Sequence, residues 1–236
     1  MIKIKALASG SRGNCYWVSD GTHTLLLECG IRFKEIQEGI DFRISELAGV
    51  LCSHEHQDHC KAVNNLMKAG VNVYASPGTI QALGITGHRI IPVKKKKTIK
   101  VGEWSVLPFK TEHDCEDPLG FVLQNKEKER LLYATDTYYL RYKFPSLTHI
   151  IIECNYSLDI LNRNVEAGIV PAVHKNRVIQ SHMSLETAKK FLKVNDLSKV
   201  QEIWLLHLSD QNSNAKLFKE EIMAVSGKPV YIAGGD

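Results

Sequence analysis

The stretch His54-Glu55-His56-Gln57-Asp58-His59 places His54, His56, Asp58 and His59, four candidate metal ligands, within six residues, close behind the apolar run Val50-Leu51-Cys52. Imidazole nitrogens and carboxylate oxygens are the ligands that divalent transition metals take, and folding alone does not need so many together. The chemistry this pattern offers is hydrolysis by a metal-activated water. Two metals a few ångströms apart need more than four ligands and usually one bridging carboxylate. Further candidates lie downstream: His113, Asp136 in Ala-Thr-Asp-Thr, and His207. With His54, His56, Asp58 and His59 they complete such an inventory.

Each candidate follows the end of an expected strand, so the sheet would gather them at one edge. Period-2 and β-branched runs predict strands at 2–8, 15–18, 24–27, 50–52 and 71–75. Further strands are expected at 90–93, 98–101, 104–109, 120–123, 130–134, 149–152, 203–206 and 230–232. A short helix is expected over 31–37. Ala62, Val63, Leu66 and Met67 recur at helical spacing, which puts the His cluster on a strand-to-helix loop. Pro77 can open another short helix, and 157–163 and 215–223 are also expected to be helical. Ser184 caps a helix with Leu185, Ala188, Phe191 and Leu192 on one face. Residues 164–180 have no clear period and are expected to form an extended loop. Alternating strands and helices in both halves predict an α/β layered sandwich with helices outside, folded as one domain over 1–236.

Composition narrows the class. The chain has 236 residues, 44% hydrophobic and 24% charged, as in soluble globular proteins. No stretch is long and apolar enough to span a bilayer, and the N-terminus alternates like a strand rather than a signal peptide. Cys15, Cys29, Cys52, Cys60, Cys115 and Cys154 form no CxxC pair, so reduced thiols in a cytoplasmic chain are expected. Cys60 and Cys115 lie close to candidate ligands but are read as bystanders. The net charge of +4 permits a nucleic-acid partner without demanding one. Lys94-Lys95-Lys96-Lys97 is read as a solvated turn between strands. His23, His88, His149 and His174 belong to no motif and receive no role.

The ligand pattern resembles the HxHxDH…H…D…H signature of the metallo-β-lactamase superfamily, in order and over essentially the whole chain. The resemblance implies a four-layer αββα sandwich of two similar halves. It also implies that His54, His56 and His113 hold one metal, that Asp58, His59 and His207 hold a second, and that Asp136 bridges. Ser9-Gly10-Ser11-Arg12-Gly13-Asn14 is similar to the SGSxGN opening of YycJ/WalJ-type single-domain nucleases. His113-Asp114 with Asp117-Pro118-Leu119-Gly120 matches their HD…DPxG segment. Glu153-Cys154-Asn155, His182-Met183-Ser184 and His207-Leu208-Ser209 also fall in the expected order. Cys154 and Ser181 depart from the usual Ser and Gly, and Glu28 stands where the superfamily usually has Asp. Glu153 and His182 resemble the Glu and His of transfer-RNA 3′-processing relatives, a pair that protonates the leaving oxygen there.

The ligand set predicts a dinuclear metallohydrolase, and the resemblance implies a phosphodiesterase that acts on nucleic acid, chiefly as a DNA exonuclease. Two divalent ions, zinc or manganese, would turn a bridging water into hydroxide that attacks phosphorus in line. Asp58, Glu153 and His182 are the catalytic candidates, with His182 as general acid. Ser11, Asn14, Asn155 and Ser184 are candidate substrate contacts, since a Gly-Ser loop can offer N–H groups and hydroxyls to a phosphate. No membrane partner is expected, and the oligomeric state stays open. Three other readings use the same ligands or fold: a glyoxalase II or lactonase-type hydrolase, a small cyclic-phosphodiester hydrolase, and a non-catalytic nucleic-acid- or protein-binding module.

Overall fold

The computed structural model describes residues 1–234, which form two compact units. The first comprises Met1–Lys110 and Cys115–Glu129. The second comprises Thr111–Asp114 and the described residues from Arg130 onward.

In the first unit, β1 (Lys3–Ala8), β2 (Cys15–Ser19), β3 (Thr24–Leu27), β4 (Leu47–Leu51), β5 (Val73–Ala75) and β6 (Ile90–Pro92) pair in sequence order. β1, β2 and β3 are antiparallel, joined by tight connections. From β3 to β6 the strands run parallel. The crossovers carry α1 (Phe33–Gly39), α2 (Gln57–Cys60), α3 (Val63–Lys68) and α4 (Pro77–Leu83), with a 3-10 turn at Ile44–Glu46. The parallel strands have near-continuous apolar runs because helices and neighbouring strands leave them little contact with water. Leu26, Val50 and Val73 on the strands and Ile36 and Leu66 on the helices are fully buried in one cluster. Truncating Leu26, Ile36 or Leu66 to alanine would cost about 2–5 kcal/mol. The unit is completed by an antiparallel meander of β7 (Ile99–Val101), β8 (Trp104–Lys110) and β9 (Leu119–Gln124). The four lysines at 94–97 occupy the exposed turn between β6 and β7, as expected.

In the second unit, β10 (Arg130–Ala134), β11 (His149–Glu153), β12 (Glu202–Leu206) and β13 (Val230–Ile232) are parallel neighbours in that order. Every residue of β11 is buried, which is the pattern of a central parallel strand. The helices are α5 (Leu158–Glu166), α6 (Ala172–Ser181), α7 (Leu185–Val194) and α8 (Ala215–Ser226). Ser184 caps α7 by accepting the Thr187 N–H at 3.1 Å, as its position predicts. Leu185, Ala188, Phe191 and Leu192 form the buried face.

The expected extended loop over 164–180 is incorrect: α5 runs to Glu166, and α6 begins at Ala172 behind Pro171. Helical periodicity shows in a sequence only where a helix buries a stripe. Only Ser181 of α6 is buried, and Val173 is 83% exposed, so the helix imposed no apolar pattern. The His cluster also has more regular structure than expected, since Asp58 and His59 lie inside the single turn of α2. Among the described residues no helix is long and apolar enough to cross a membrane.

Candidate functional site

Parallel α/β sheets place ligand-binding residues at the carboxyl ends of their strands. β4 ends at Leu51 and is followed by His54. β10 ends at Ala134 and is followed by Asp136. β11 ends on Glu153, and β12 ends at Leu206, immediately before His207. Asp136 and His207 both adopt positive φ, at 43° and 57°. Non-glycine residues rarely hold that conformation unless surrounding contacts impose it, and it often marks functional positions.

In the first unit the cluster is built on a fixed backbone. Ser53 donates its N–H to the buried Glu28 carboxylate at 3.2 Å, and its hydroxyl lies 2.8 Å from His54 Nδ1. That contact orients the ring so that Nε2 faces His56 Nδ1 at 3.1 Å. The His54 and His59 rings have centroids 4.1 Å apart. His59 is fully buried, with Nδ1 3.7 Å from Glu28 Oε2 and Nε2 3.5 Å from Asp58 Oδ2. Convergent imidazole nitrogens and carboxylates, steadied by further polar groups, are a donor set suited to divalent metals. The Cys60 thiol points at backbone, to the Glu55 and His56 carbonyls at 3.0 and 3.1 Å.

The Gly-Ser opening supports this loop from below. The Asn14 N–H donates to the Asp58 carbonyl at 2.7 Å, and its side-chain amide reaches that oxygen at 3.3 Å and His59 Nε2 at 3.2 Å. The Cys29 N–H donates to the His59 carbonyl at 2.8 Å. Gly30 passes so close that a Cβ there would sit 1.6 Å from the Asp58 carbonyl oxygen. Ser53 and Gly30 are thus supports that the sequence reading did not single out. Their signals were available: a hydroxyl directly before the first ligand, and a glycine after Glu28-Cys29.

In the second unit, His113 Nε2 lies 3.6 Å from Asp136 Oδ2, and its Nδ1 lies 3.2 Å from the Ser181 carbonyl. Burial lowers the His113 pKa despite the pull of Asp136, which favours the neutral imidazole that metals bind. Asp136 Oδ1 accepts the Thr135 hydroxyl at 2.9 Å and lies 3.4 Å from His207 Nδ1. The Glu153 carboxylate is wholly buried. Its Oε2 accepts the Thr137 and Met183 N–H groups at 2.8 and 3.2 Å, and its Oε1 faces His182 Nδ1 at 2.6 Å and His207 Nδ1 at 3.2 Å. Burial opposes the charge on Glu153, but the adjacent His182 outweighs it and the pKa is lowered. The reciprocal effect raises the His182 pKa against its own burial. Donor atoms of Asp136, Glu153, His182 and His207 all lie within 4.8 Å of one another.

The four candidate substrate contacts are placed differently from one another. Ser11 is exposed. Asn14 is buried in the support just described. The Asn155 amide donates to the His207 carbonyl at 2.7 Å, and Ser184 caps α7.

A family profile described as "Beta-lactamase superfamily domain" matches residues 23–207. An exodeoxyribonuclease YycJ of Bacillus anthracis is 26% identical, over 95% of this chain and 89% of its own length. An exodeoxyribonuclease WalJ of Streptococcus pneumoniae is 27% identical, over 91% of this chain and 84% of its own. The metallo-β-lactamase fold protein YhfI of Bacillus subtilis superposes with a TM-score of 0.76 at 18% identity, covering 99% of this chain and 98% of its own. At that identity the likeness shows the fold, which is the mixed α/β metallo-β-lactamase fold that the sequence motifs implied.

Proposed function

Given that the chain belongs to the metallo-β-lactamase superfamily and is a metal-dependent hydrolase, we propose that it is a dinuclear phosphodiesterase degrading DNA as an exonuclease. In this reading the chain works as one domain in the cytoplasm. His54, His56 and His113 hold one divalent ion, Asp58, His59 and His207 the other, and Asp136 serves both. Zinc suits the His-rich set, and the second set takes zinc or manganese. When bound, such ions lower the pKa of water and neutralise charge on the non-bridging phosphate oxygens.

The observation that carries the phosphodiesterase reading is the pair formed by Glu153 and His182. A carboxylate can only accept, so the 2.6 Å contact means that His182 Nδ1 carries the proton between them. The other ring nitrogen is then directed away from Glu153 and can deliver a proton to the departing sugar oxygen. Glu153 keeps the imidazole in that orientation and raises its pKa, which favours the protonated form a general acid needs. The side chain of His182 is 21% exposed while that of Glu153 is sealed, which leaves the histidine as the member that can meet substrate. A thioester hydrolase expels a thiolate, a better leaving group than an alkoxide, and does not need this donor. The names of the two exodeoxyribonuclease relatives support DNA as the substrate.

The test is an assay of metal-loaded protein on end-labelled DNA, end-labelled RNA and a glutathione thioester. Stepwise release of mononucleotides from DNA is expected. Thioester hydrolysis without any DNA cleavage would sink the proposal.

A further inference from the structure

We infer that the exposed face running from Lys61 along α3 to Arg89 is a second binding site, which holds the phosphodiester backbone of the nucleic-acid strand outside the metal-ligand loop. It rests on the nuclease reading and adds where the strand runs. The centre of this face is a cavity of about 250 Å³ between α3 and the segment leading into β6. Lys68, His88 and Arg89 line it together with Asn64, Thr86 and Met67, and none of its lining residues is acidic.

Three features make this a site for a strand rather than a solvated patch of charge. First, the cations are available: neither Lys68 nor Arg89 is paired with a carboxylate among the described residues. Second, Arg89 is held in place. Its Nη1 donates to Asn72 Oδ1 at 3.1 Å, and its carbonyl accepts the Val73 N–H at 2.8 Å, tying it to β5. A fixed guanidinium loses less freedom when it meets a phosphate. Third, the lining is mixed. The half-buried Met67 brings its methyl group up to Gly87, where a Cβ would stand 3.4 Å from it. A thioether surface bordered by cations, a hydroxyl and an amide suits a nucleotide, with sugar or base on the apolar part and phosphate at the rim.

The face also connects to the chemistry along the chain. Asp58 and His59 lie on α2, which Lys61 closes by donating its N–H to the Gln57 carbonyl, and α3 follows after Ala62. Lys61, Asn64 and Lys68 are all exposed, and Asn64 and Lys68, four residues apart on α3, share one helix face. The carboxylate whose charge Lys61 influences, Glu35, already receives Nε and Nη2 of Arg32 at 3.0 and 2.6 Å. His88, which no motif accounts for, and the otherwise unexplained positive charge on α3 acquire one purpose: steering and gripping a polyanion.

The test titrates metal-loaded, ¹⁵N-labelled protein with a short oligothymidylate whose phosphorothioate linkages resist cleavage. Amide shifts at Gly87, His88 and Arg89 are expected on binding. Lys68→Glu and His88→Glu, at two exposed positions, should each weaken affinity about tenfold, and the salt dependence of binding should become shallower by about one in log–log slope for Lys68→Glu. Hydrolysis of bis(p-nitrophenyl) phosphate, which is too small to span both places, should be unchanged in both variants. Oligonucleotide binding without shifts at 87–89, or with wild-type affinity and salt slope in both variants, would overturn the site while leaving the nuclease reading intact. Failure of wild-type protein to bind or cleave DNA at all would overturn both.

Discussion

His182 Nδ1 lies 2.6 Å from Glu153 Oε1, and the other oxygen of the same carboxylate accepts the Thr137 and Met183 N–H groups. One buried side chain therefore fixes the segment after β10, the segment before α7 and the imidazole together. Replacing Glu153 with Gln keeps the shape and removes the charge. Turnover on DNA should fall on the order of 100-fold, the scale of a lost general acid. His182→Ala should fall comparably, and the double variant should be little worse than either single one, because the two residues act as a unit. Single-turnover cleavage rates measure this; fully multiplicative losses would show independent roles.

Gly30 carries a different burden. A methyl group there would have to displace the backbone at Asp58, since its Cβ would lie 1.6 Å from that carbonyl oxygen. Gly30→Ala should cost about 1–3 kcal/mol or more in denaturant unfolding and should also weaken metal binding, because the displaced segment carries Asp58 and His59. Equilibrium unfolding and metal titration on the same preparation test both. Wild-type metal affinity in this variant would show that the ligand loop does not depend on the close approach.

Asp20 supplies a pH-dependent test away from the site. Its Oδ1 accepts the Thr22 and His23 N–H groups at 2.9 and 2.7 Å in the turn between β2 and β3. Burial opposes ionisation, but those backbone donors and His23 prevail and the pKa is lowered. The folded state therefore binds a proton less readily than the unfolded chain. The resulting stabilisation is complete above the unfolded value of about 4 and is lost as pH falls through the folded value. Asp20→Ala should be less stable than wild type by about 1–2 kcal/mol at pH 7, and the gap should narrow in acid. A gap independent of pH would rule out ionisation as its source.

Much of this arrangement was legible in the sequence because ligands and strands leave local marks. β4, β10 and β12 are apolar runs that stop within a few residues of His54, Asp136 and His207. Ser184 announced α7 through its capping position and the apolar stripe behind it. α6 was illegible because a helix that buries only Ser181 fully and packs only Val178 and Ile179 partly has no need of a long apolar stripe. The role of Asn14 was obscured for another reason. A Gly-Ser loop rich in donors has the same composition whether it receives a phosphate or a neighbouring backbone, and only the fold brings Asn14 to the Asp58 carbonyl. Gly30 likewise depends on a contact across 28 residues that no local pattern encodes.

The central claim, that two metals on this ligand set drive phosphodiester cleavage, is tested most directly by titrating metal-stripped protein with manganese while following mononucleotide release from end-labelled DNA. Cleavage should be absent at the start, rise with added metal and reach its plateau near two equivalents per chain. Asp136→Ala should fail to reach it at any stoichiometry. Cleavage that persists in the stripped protein, or none after two equivalents have bound, would contradict the account.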